Sequence, residues 1–190
     1  MERKKLLFLS AIILLMGENG YGTLYPDGAK GEKITNEKLV PHLSSSTIIS
    51  VNGDRYGIIE ENVTVNIENN ELKNKKILNI NTTSSEKTIN NGKLMANSGT
   101  QGVDIIAIQK GDFTNNGIIE VEGEKVQGIN ITGENIRSEN NGEILASKNA
   151  VGVAITNSKS TFVNNGKINT KDSGTKGIYI GAGIIRISLW

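Results

Sequence analysis

The sequence contains no cysteine, which excludes a disulfide framework and any metal site built from thiolates. Aromatic residues make up only 4% of the chain and only two prolines are present, Pro26 and Pro41. A core centred on large aromatic side chains is therefore excluded, and the core must consist mainly of Ile, Val, Leu and Ala. An excess of one charge is also lacking, because 21 basic residues balance 20 acidic ones. The net charge of +1 gives no long-range field for nucleic acid or an anionic membrane, so we predict neither as a direct partner.

The N-terminus has the pattern of a secretory signal peptide. The basic residues Arg3–Lys5 precede an apolar run of eleven residues, Leu6–Met16. A membrane-spanning helix needs about 20 residues, whereas a run of this length matches the hydrophobic region of a signal peptide. Gly20 and Gly22 supply small residues at the −3 and −1 positions of a cleavage site. We therefore predict a signal peptide at residues 1–22 and an exported protein at the cell surface, in the outer membrane or outside the cell.

Residues 23–50 are polar and without periodicity, and they contain both prolines and the single histidine, His42. We predict a polar leader that covers the start of the following domain. His42 has no nearby partner for nucleophilic catalysis, and one histidine is weak evidence for zinc. The remaining residues, 51–190, are predicted to form one repeat-built domain, with regular repeats from residue 88 to residue 183.

The tripeptide Asn-Asn-Gly recurs four times, at intervals of 25, 25 and 24 residues. A constant period of this length is the signature of a repeat architecture. A sharp corner between strands often requires positive φ, which glycine adopts freely and asparagine tolerates best among the other residues. Asparagine side chains stacked in register also form hydrogen-bonded ladders. We therefore predict a structural role in turns and ladders for Asn90, Asn91, Gly92, Asn115, Asn116, Gly117, Asn140, Asn141, Gly142, Asn164, Asn165 and Gly166.

Each corner is followed by apolar residues at a spacing of two, the period of a β-strand. A second glycine then precedes another such pair, and these second glycines are Gly102, Gly128, Gly152 and Gly177. One repeat is too short to bury its own apolar face, so successive repeats must stack. We predict an all-β parallel β-helix, or β-solenoid, with three interior rows: Val103, Ile129, Val153 and Ile178; Ile105, Ile131, Ile155 and Ile180; and Leu94, Ile119, Ile144 and Ile168.

The signal peptide, the missing cysteine and the repeated Asn-Asn-Gly motifs together resemble the passenger region of an autotransporter adhesin of Gram-negative bacteria. The resemblance covers residues 50–183. It implies a right-handed parallel β-helix at the cell surface that binds a host or cell-surface receptor, either protein or glycan. Such families carry a C-terminal translocator barrel, and we expect this chain to depart from them by having none. We therefore expect a truncated passenger whose contact with a membrane comes only through export or through a missing translocator.

Several β-helices are polysaccharide lyases or hydrolases, which need paired carboxylates or an acid beside a basic residue. We assigned one outward row to Asp104, Asn130, Ala154 and Tyr179, and this row holds a single acid. Other acids occur at Glu120, Glu122, Glu124, Glu143 and Asp172, where a solvated face is the simpler interpretation. We predict no catalytic residue, no metal and no cofactor. The leading function is an adhesin, binding module or spacer; the alternatives are a carbohydrate-active enzyme and a non-functional remnant.

Overall fold

A computed structural model describes residues 31–34, 47–67, 76–96, 103–157, 159–181 and 186–189, and these contain strands without a helix. The predicted signal peptide, His42 and Gly102 lie outside the described residues. The strands are β1 Gly31–Ile34, β2 Thr47–Gly53, β3 Tyr56–Ile59, β4 Thr64–Ile67, β5 Lys76–Thr82, β6 Thr88–Asn90, β7 Lys93–Ala96, β8 Asp104–Lys110, β9 Phe113–Asn115, β10 Ile118–Glu122, β11 Gln127–Ile131, β12 Arg137–Asn140, β13 Glu143–Ser147, β14 Val151–Ile155, β15 Thr161–Asn164, β16 Lys167–Thr170, β17 Lys176–Ile180 and β18 Arg186–Leu189.

The strands form three parallel sheets, and each complete coil of the chain contributes one strand to every sheet. The first sheet has the order β2-β5-β8-β11-β14-β17, the second β1-β3-β6-β9-β12-β15-β18 and the third β4-β7-β10-β13-β16. Each strand pairs with the strand one coil later, so backbone hydrogen bonds run along the axis of the stack. The predicted parallel β-solenoid, with a repeat near 25 residues and about five turns, is confirmed.

Strand pairing begins before residue 51, where we placed the start of the solenoid. β1 pairs with β3, and β2 pairs with β5 from Thr47 onward. Both β1 and the first part of β2 lie in the segment predicted as a polar leader. The cause is visible in β2, where Ile49 and Val51 repeat the spacing of the later coils and are both buried.

Apolar side chains from all three sheets fill the interior of the stack. The third-sheet row is confirmed, because Leu94 pairs with Ile119, Ile119 with Ile144, and Ile144 with Ile168. The first three of these side chains are fully buried, and Ile168 packs partly buried against the same core. Fully burying such a side chain stabilises the fold by about 1.5–3 kcal/mol.

The two predicted first-sheet rows are wrong at the coil that contains β8. Ile129 pairs with Ile106 and Ile131 pairs with Ile108, whereas we had assigned Val103 and Ile105 to these places. The segment Val103–Ile108 offers two successive apolar pairs at a spacing of two, and alignment on Gly102 selects the earlier pair. Pairing with the coil before and the coil after selects the later pair. The observed rows are Ile49, Leu78, Ile106, Ile129, Val153 and Ile178, and Val51, Ile80, Ile108, Ile131, Ile155 and Ile180. Ile180, predicted to be interior, is 46% exposed.

In the second sheet, small and large residues alternate along one interior row. Thr88 pairs with Phe113, Phe113 with Ser138, and Ser138 with Phe162. All four are fully buried, so the Phe113 ring lies between two short side chains and the Phe162 ring follows one, Ser138. The Ser138 hydroxyl has no hydrogen-bond partner there. The residue type in this row therefore changes from coil to coil, because a close-packed interior accommodates a large side chain next to a small one.

Candidate functional site

The first asparagine of each corner belongs to an inner ladder between the second and third sheets. The Nδ2 of Asn90 donates to the Oδ1 of Asn115 at 2.8 Å, and Asn115 donates to Asn140 at 2.8 Å. Asn140 donates in turn to Asn164 at 2.7 Å. The first three side chains are fully buried. Because a buried amide without partners is costly, these mutual bonds are what permit asparagine in the interior.

The inner ladder ends on both sides where the residue at the ladder position is no longer asparagine. In the register of the second sheet, the position before Asn90 is Ile59 and the position after Asn164 is Leu189. Neither residue carries an amide. The inner ladder therefore spans four coils, the same four in which Asn-Asn-Gly occurs.

The second asparagine of each corner forms an outer, exposed ladder that runs the opposite way. Asn116 donates to Asn91 at 2.9 Å, Asn141 to Asn116 at 3.0 Å, and Asn165 to Asn141 at 3.0 Å. Donation in the inner ladder points toward the C-terminal coils, whereas donation in the outer ladder points toward the N-terminal coils. The amide dipoles of the two ladders are therefore opposed.

The corner glycines do not have the positive φ that we expected. Among the described glycines, positive φ occurs at Gly53, Gly111, Gly123 and Gly174, all outside the Asn-Asn-Gly corners. A Cβ on Gly142 would instead overlap the carbonyl oxygen of Gly117 in the preceding coil. Glycine is required at this corner because adjacent coils approach too closely for any side chain.

Three of the second glycines share one position of the first sheet, and glycine occurs at this position only in the later coils. The register places Gly128, Gly152 and Gly177 in line with Ile105 and Ile77, both of which are fully buried. Gly102 is therefore not their equivalent, since it precedes Ile105 by three residues. A Cβ on Gly128 would meet the carbonyl oxygen of Gly152 in the following coil. In the earlier coils an isoleucine side chain therefore fills this position, whereas in the later coils it is glycine.

The outer face of the first sheet carries a polar group that the sequence did not predict. The outward row that contains Asn130 holds Asn79, Ala107, Asn130, Ala154 and Tyr179, so Ala107 and not Asp104 is its third-coil member. Asp104 belongs to the neighbouring row, between Lys76 and Gln127. The two rows nevertheless meet, because the Nδ2 of Asn130 donates to the Oδ2 of Asp104 at 3.0 Å. We call Lys76, Asn79, Asp104, Gln127 and Asn130 the first-sheet patch.

Asp104 is the acid of the first-sheet patch, and the pKa of its carboxyl group is shifted from the ordinary value. Burial raises the pKa of its carboxyl group above the ordinary value, while the Asn130 hydrogen bond and the charge of Lys76 act in the other direction. The amide oxygens of Gln127 and Asn130 are buried and have no hydrogen-bond partner. The patch therefore has unused capacity to accept hydrogen bonds, and a carboxyl group that is easier to protonate than an exposed aspartate.

Farther along the same face, Tyr179 is 42% exposed. The ammonium group of Lys176 lies 4.9 Å from the centroid of the Tyr179 ring, within the range of a cation–π contact. The residue next to Tyr179 in the row is Ala154, which is small and nearly fully buried. Because β17 is the last strand of the first sheet among the described residues, Tyr179 has a neighbour in this row on one side only.

The other acids that we considered are paired with basic or polar side chains. Glu120 lies 3.0 Å from Lys93, and Glu122 forms an ion pair with Lys148. Glu143 accepts a bond from Asn169 at 3.0 Å, and Asp172 accepts bonds from the Lys148 backbone and from Thr175, which lower its pKa. Glu124 is exposed in a turn. The structure does not bring these acids together into one site.

Within the described ranges, no group of three or more His, Asp or Glu residues is placed to hold a metal ion. A search of the same residues for a helix both long and apolar enough to cross a membrane found none. Comparison of the chain with family models, with curated proteins and with solved structures found no match in any of the three.

Proposed function

We propose that this protein is an exported, surface-presented binding solenoid, the passenger of an autotransporter-type adhesin, and that it binds glycans through the outer face of its first sheet. The observation that carries the proposal is the exposed Tyr179 ring with Lys176 beside it. An aromatic ring offers its face to the C–H groups of a sugar, and a neighbouring ammonium group donates hydrogen bonds to hydroxyl groups.

The division between inward and outward residues supports a presentation role. Many inward positions repeat from coil to coil, as the third-sheet row and the inner ladder show, although the second-sheet row alternates between small and large residues. Outward positions of the first sheet vary, unlike those of the outer ladder: one row changes from Ala to Asn to Ala to Tyr over four successive coils. A rigid stack whose outer residues change without disturbing its core is suited to displaying a particular surface.

The first-sheet patch would extend the contact along the same face. Its five side chains are half-buried and polar, so they offer hydrogen-bonding groups to a ligand on this face. The amide oxygens of Gln127 and Asn130 are themselves buried and are not part of that contact. Both side chains lie in the rows that lead to Lys176 and Tyr179. A linear glycan aligned with the axis of the stack would meet amides first and the aromatic ring further on.

The test is binding of purified full-length chain to a glycan array, followed by titration of the glycans retained. Tyr179→Ala is the main variant, because alanine already occupies this row in two preceding coils and the core does not depend on the ring. Asn169→Ala is the matched control, an exposed outward residue of the third sheet. We expect Tyr179→Ala to weaken binding at least tenfold, equivalent to about 1.4 kcal/mol, and the control to leave it unchanged.

Equal binding by the two variants would overturn the assignment of this face. Binding of proteins and of no glycan would replace the proposed ligand class while leaving the presentation role in place. Export is tested separately by expressing the whole chain in a Gram-negative host and sequencing the N-terminus of the recovered protein. We expect a mature chain that begins at Thr23, and an uncleaved cytoplasmic chain would contradict export.

The alternative of a carbohydrate-active enzyme has one specific observation in its favour, the raised pKa of Asp104. A general acid of a glycosidase has this property, but it works with a second carboxylate about 5–9.5 Å away. The two outward rows of the first sheet contain no second acid among the described residues. Release of reducing ends or unsaturated products from a bound glycan, abolished by Asp104→Asn, would favour the enzyme.

A further inference from the structure

Each asparagine of the outer ladder is followed by glycine, and this dipeptide is chemically labile. In Asn-Gly, the backbone nitrogen of glycine attacks the asparagine Cγ, because glycine has no side chain to obstruct the approach. A bond forms between that nitrogen and Cγ, the bond from Cγ to Nδ2 breaks, and ammonia leaves with the proton lost by the glycine nitrogen. Water then opens the succinimide ring to give aspartate or isoaspartate. The four outer asparagines, Asn91, Asn116, Asn141 and Asn165, meet the sequence requirement.

The fold holds both reacting groups of these corners. The backbone nitrogens of Gly117, Gly142 and Gly166 donate to inner asparagine carbonyl groups of the preceding coil at 3.0, 3.0 and 2.9 Å. The nitrogen of Gly92 donates instead to the Oδ1 of Asn90 at 3.2 Å. A nitrogen whose hydrogen is engaged in such a bond is a poor nucleophile, because the attack requires that hydrogen to be lost.

The asparagine Cγ, the atom that is attacked, is also restricted in its movement, because each outer amide group is hydrogen-bonded within the outer ladder. Asn116 and Asn141 have two ladder bonds each, one given and one accepted. Asn91 and Asn165, at the ends, have one each. Rotation of the amide toward the glycine nitrogen must break these bonds, so protection should be greatest in the middle of the ladder.

We propose that Asn91, Asn116, Asn141 and Asn165 are conditional deamidation sites, protected in the folded solenoid by the outer ladder and open to attack whenever the chain is unfolded. Deamidation of Asn141 would place a carboxylate against the Oδ1 of Asn116, where an amide donor had been. The new repulsion, or the extra backbone atom of isoaspartate, opposes stacking. A chain that stays unfolded for long therefore loses the corners it needs to fold, whereas a folded chain keeps them. This inference does not depend on the proposed function.

The test compares deamidation in the folded full-length chain and in urea at the same mildly alkaline pH, by mass spectrometry of proteolytic peptides. Asn52-Gly53 is an internal reference, since Asn52 is exposed and lies outside both ladders. We expect the corner sites to react about thirty-fold more slowly in the folded chain than in urea, equivalent to about 2 kcal/mol. Asn52 should show much less protection, and Asn91 and Asn165 should react faster than Asn116 and Asn141.

The role of the ladder is tested with Asn116→Ser, which removes a ladder partner from both Asn91 and Asn141. Asn169→Ser, outside the ladder, is the control, and circular dichroism establishes that both variants fold. Deamidation at Asn91 and Asn141 should rise several-fold in Asn116→Ser and stay unchanged in the control. Equal rates in folded and unfolded chain, or no effect of Asn116→Ser, would overturn the proposal.

Discussion

Substitution of Gly142 by alanine tests whether the corners are limited by close approach of coils or by backbone conformation. Gly142 has no positive φ, so alanine has no conformational penalty there. Its Cβ, however, would overlap the Gly117 oxygen and lie 2.7 Å from the carbonyl carbon and oxygen of Asn116. These are backbone atoms, which no side-chain rotation can move away.

The magnitude follows from the hydrogen bonds that must lengthen. To restore ordinary contact distances, the coils would have to separate at this corner by about 1 Å. Asn141 and Gly142 both donate to Asn115 across this gap, at 2.7 and 3.0 Å, and Glu143 donates to Gly117 at 2.9 Å. The ladder bond from Asn115 to Asn140, at 2.8 Å, crosses it as well. At about 1 kcal/mol for each bond, we expect a loss of roughly 4 kcal/mol, a large part of the stability of a single domain.

Two other glycines provide matched controls in urea-induced unfolding followed by circular dichroism. A Cβ on Gly177 would meet only side-chain methyl groups, at 3.4 and 3.7 Å, so Gly177→Ala should leave stability unchanged or raise it by about 0.5–1 kcal/mol. Gly53 has open space but a φ of 70°, so Gly53→Ala should cost about 1–2 kcal/mol. If Gly142→Ala were no more destabilising than Gly53→Ala, the close-approach explanation would be refuted.

Three further substitutions have defined outcomes. Ser138→Ala removes a buried, unpartnered hydroxyl and should raise the free energy of unfolding by about 1 kcal/mol in urea titrations; a loss would mean that the hydroxyl has a partner. Asp104→Asn should stabilise the fold at neutral pH, because a raised folded-state pKa penalises the ionised form; the gain should fade as pH falls from the raised folded-state pKa to the ordinary aspartate value, and a gain independent of pH would contradict the assignment. The pKa of Glu139 is lowered, chiefly by the hydrogen bond from Lys87 at 2.8 Å, so its contribution is present above the ordinary pKa and lost as pH falls through the folded-state value. Glu139→Gln should therefore cost up to about 1 kcal/mol at neutral pH and nothing in strong acid, whereas an equal cost at both would exclude ionisation as the cause.

The sequence was sufficient to predict the fold class because the period and the strand spacing both depend on local patterns. Asn-Asn-Gly at a constant interval identifies the coil length, and apolar residues at a spacing of two identify the strands. Their combination defines the third-sheet row, including Leu94 and Ile168, without reference to any other part of the chain. The asparagine ladders follow from the same reasoning, since stacking at a constant register brings equal residues together.

Register in the first sheet was harder to predict, because loop length varies between coils. The alternation in Val103–Ile108 is compatible with two alignments, and only pairing with both neighbouring coils distinguishes them. The same error hid the first-sheet patch, since Asp104 and Asn130 contact each other from different rows. Only the observed pairing of Ile129 with Ile106 places Gln127 beside Asp104 and reveals the patch.

The reason for the corner glycines was also beyond the reach of local patterns. Positive φ is a property of one residue, whereas close approach depends on the distance between coils. A sequence shows that glycine recurs, but the neighbour that excludes a side chain belongs to the preceding coil, about 25 residues earlier.

The alternation of Thr88, Phe113, Ser138 and Phe162 in the second sheet sets a limit on how such a chain can change length. Deleting residues 116–140 would rejoin Asn115 to Asn141 and regenerate an intact Asn-Asn-Gly corner. It would also bring the two phenylalanine rings into adjacent coils, where the space is fitted to one ring and one short side chain. In this row the side-chain size repeats every two coils, whereas the Asn-Asn-Gly motif repeats in every coil. Duplication or loss of coils in pairs would preserve the packing, whereas a single-coil change would require compensation in this row.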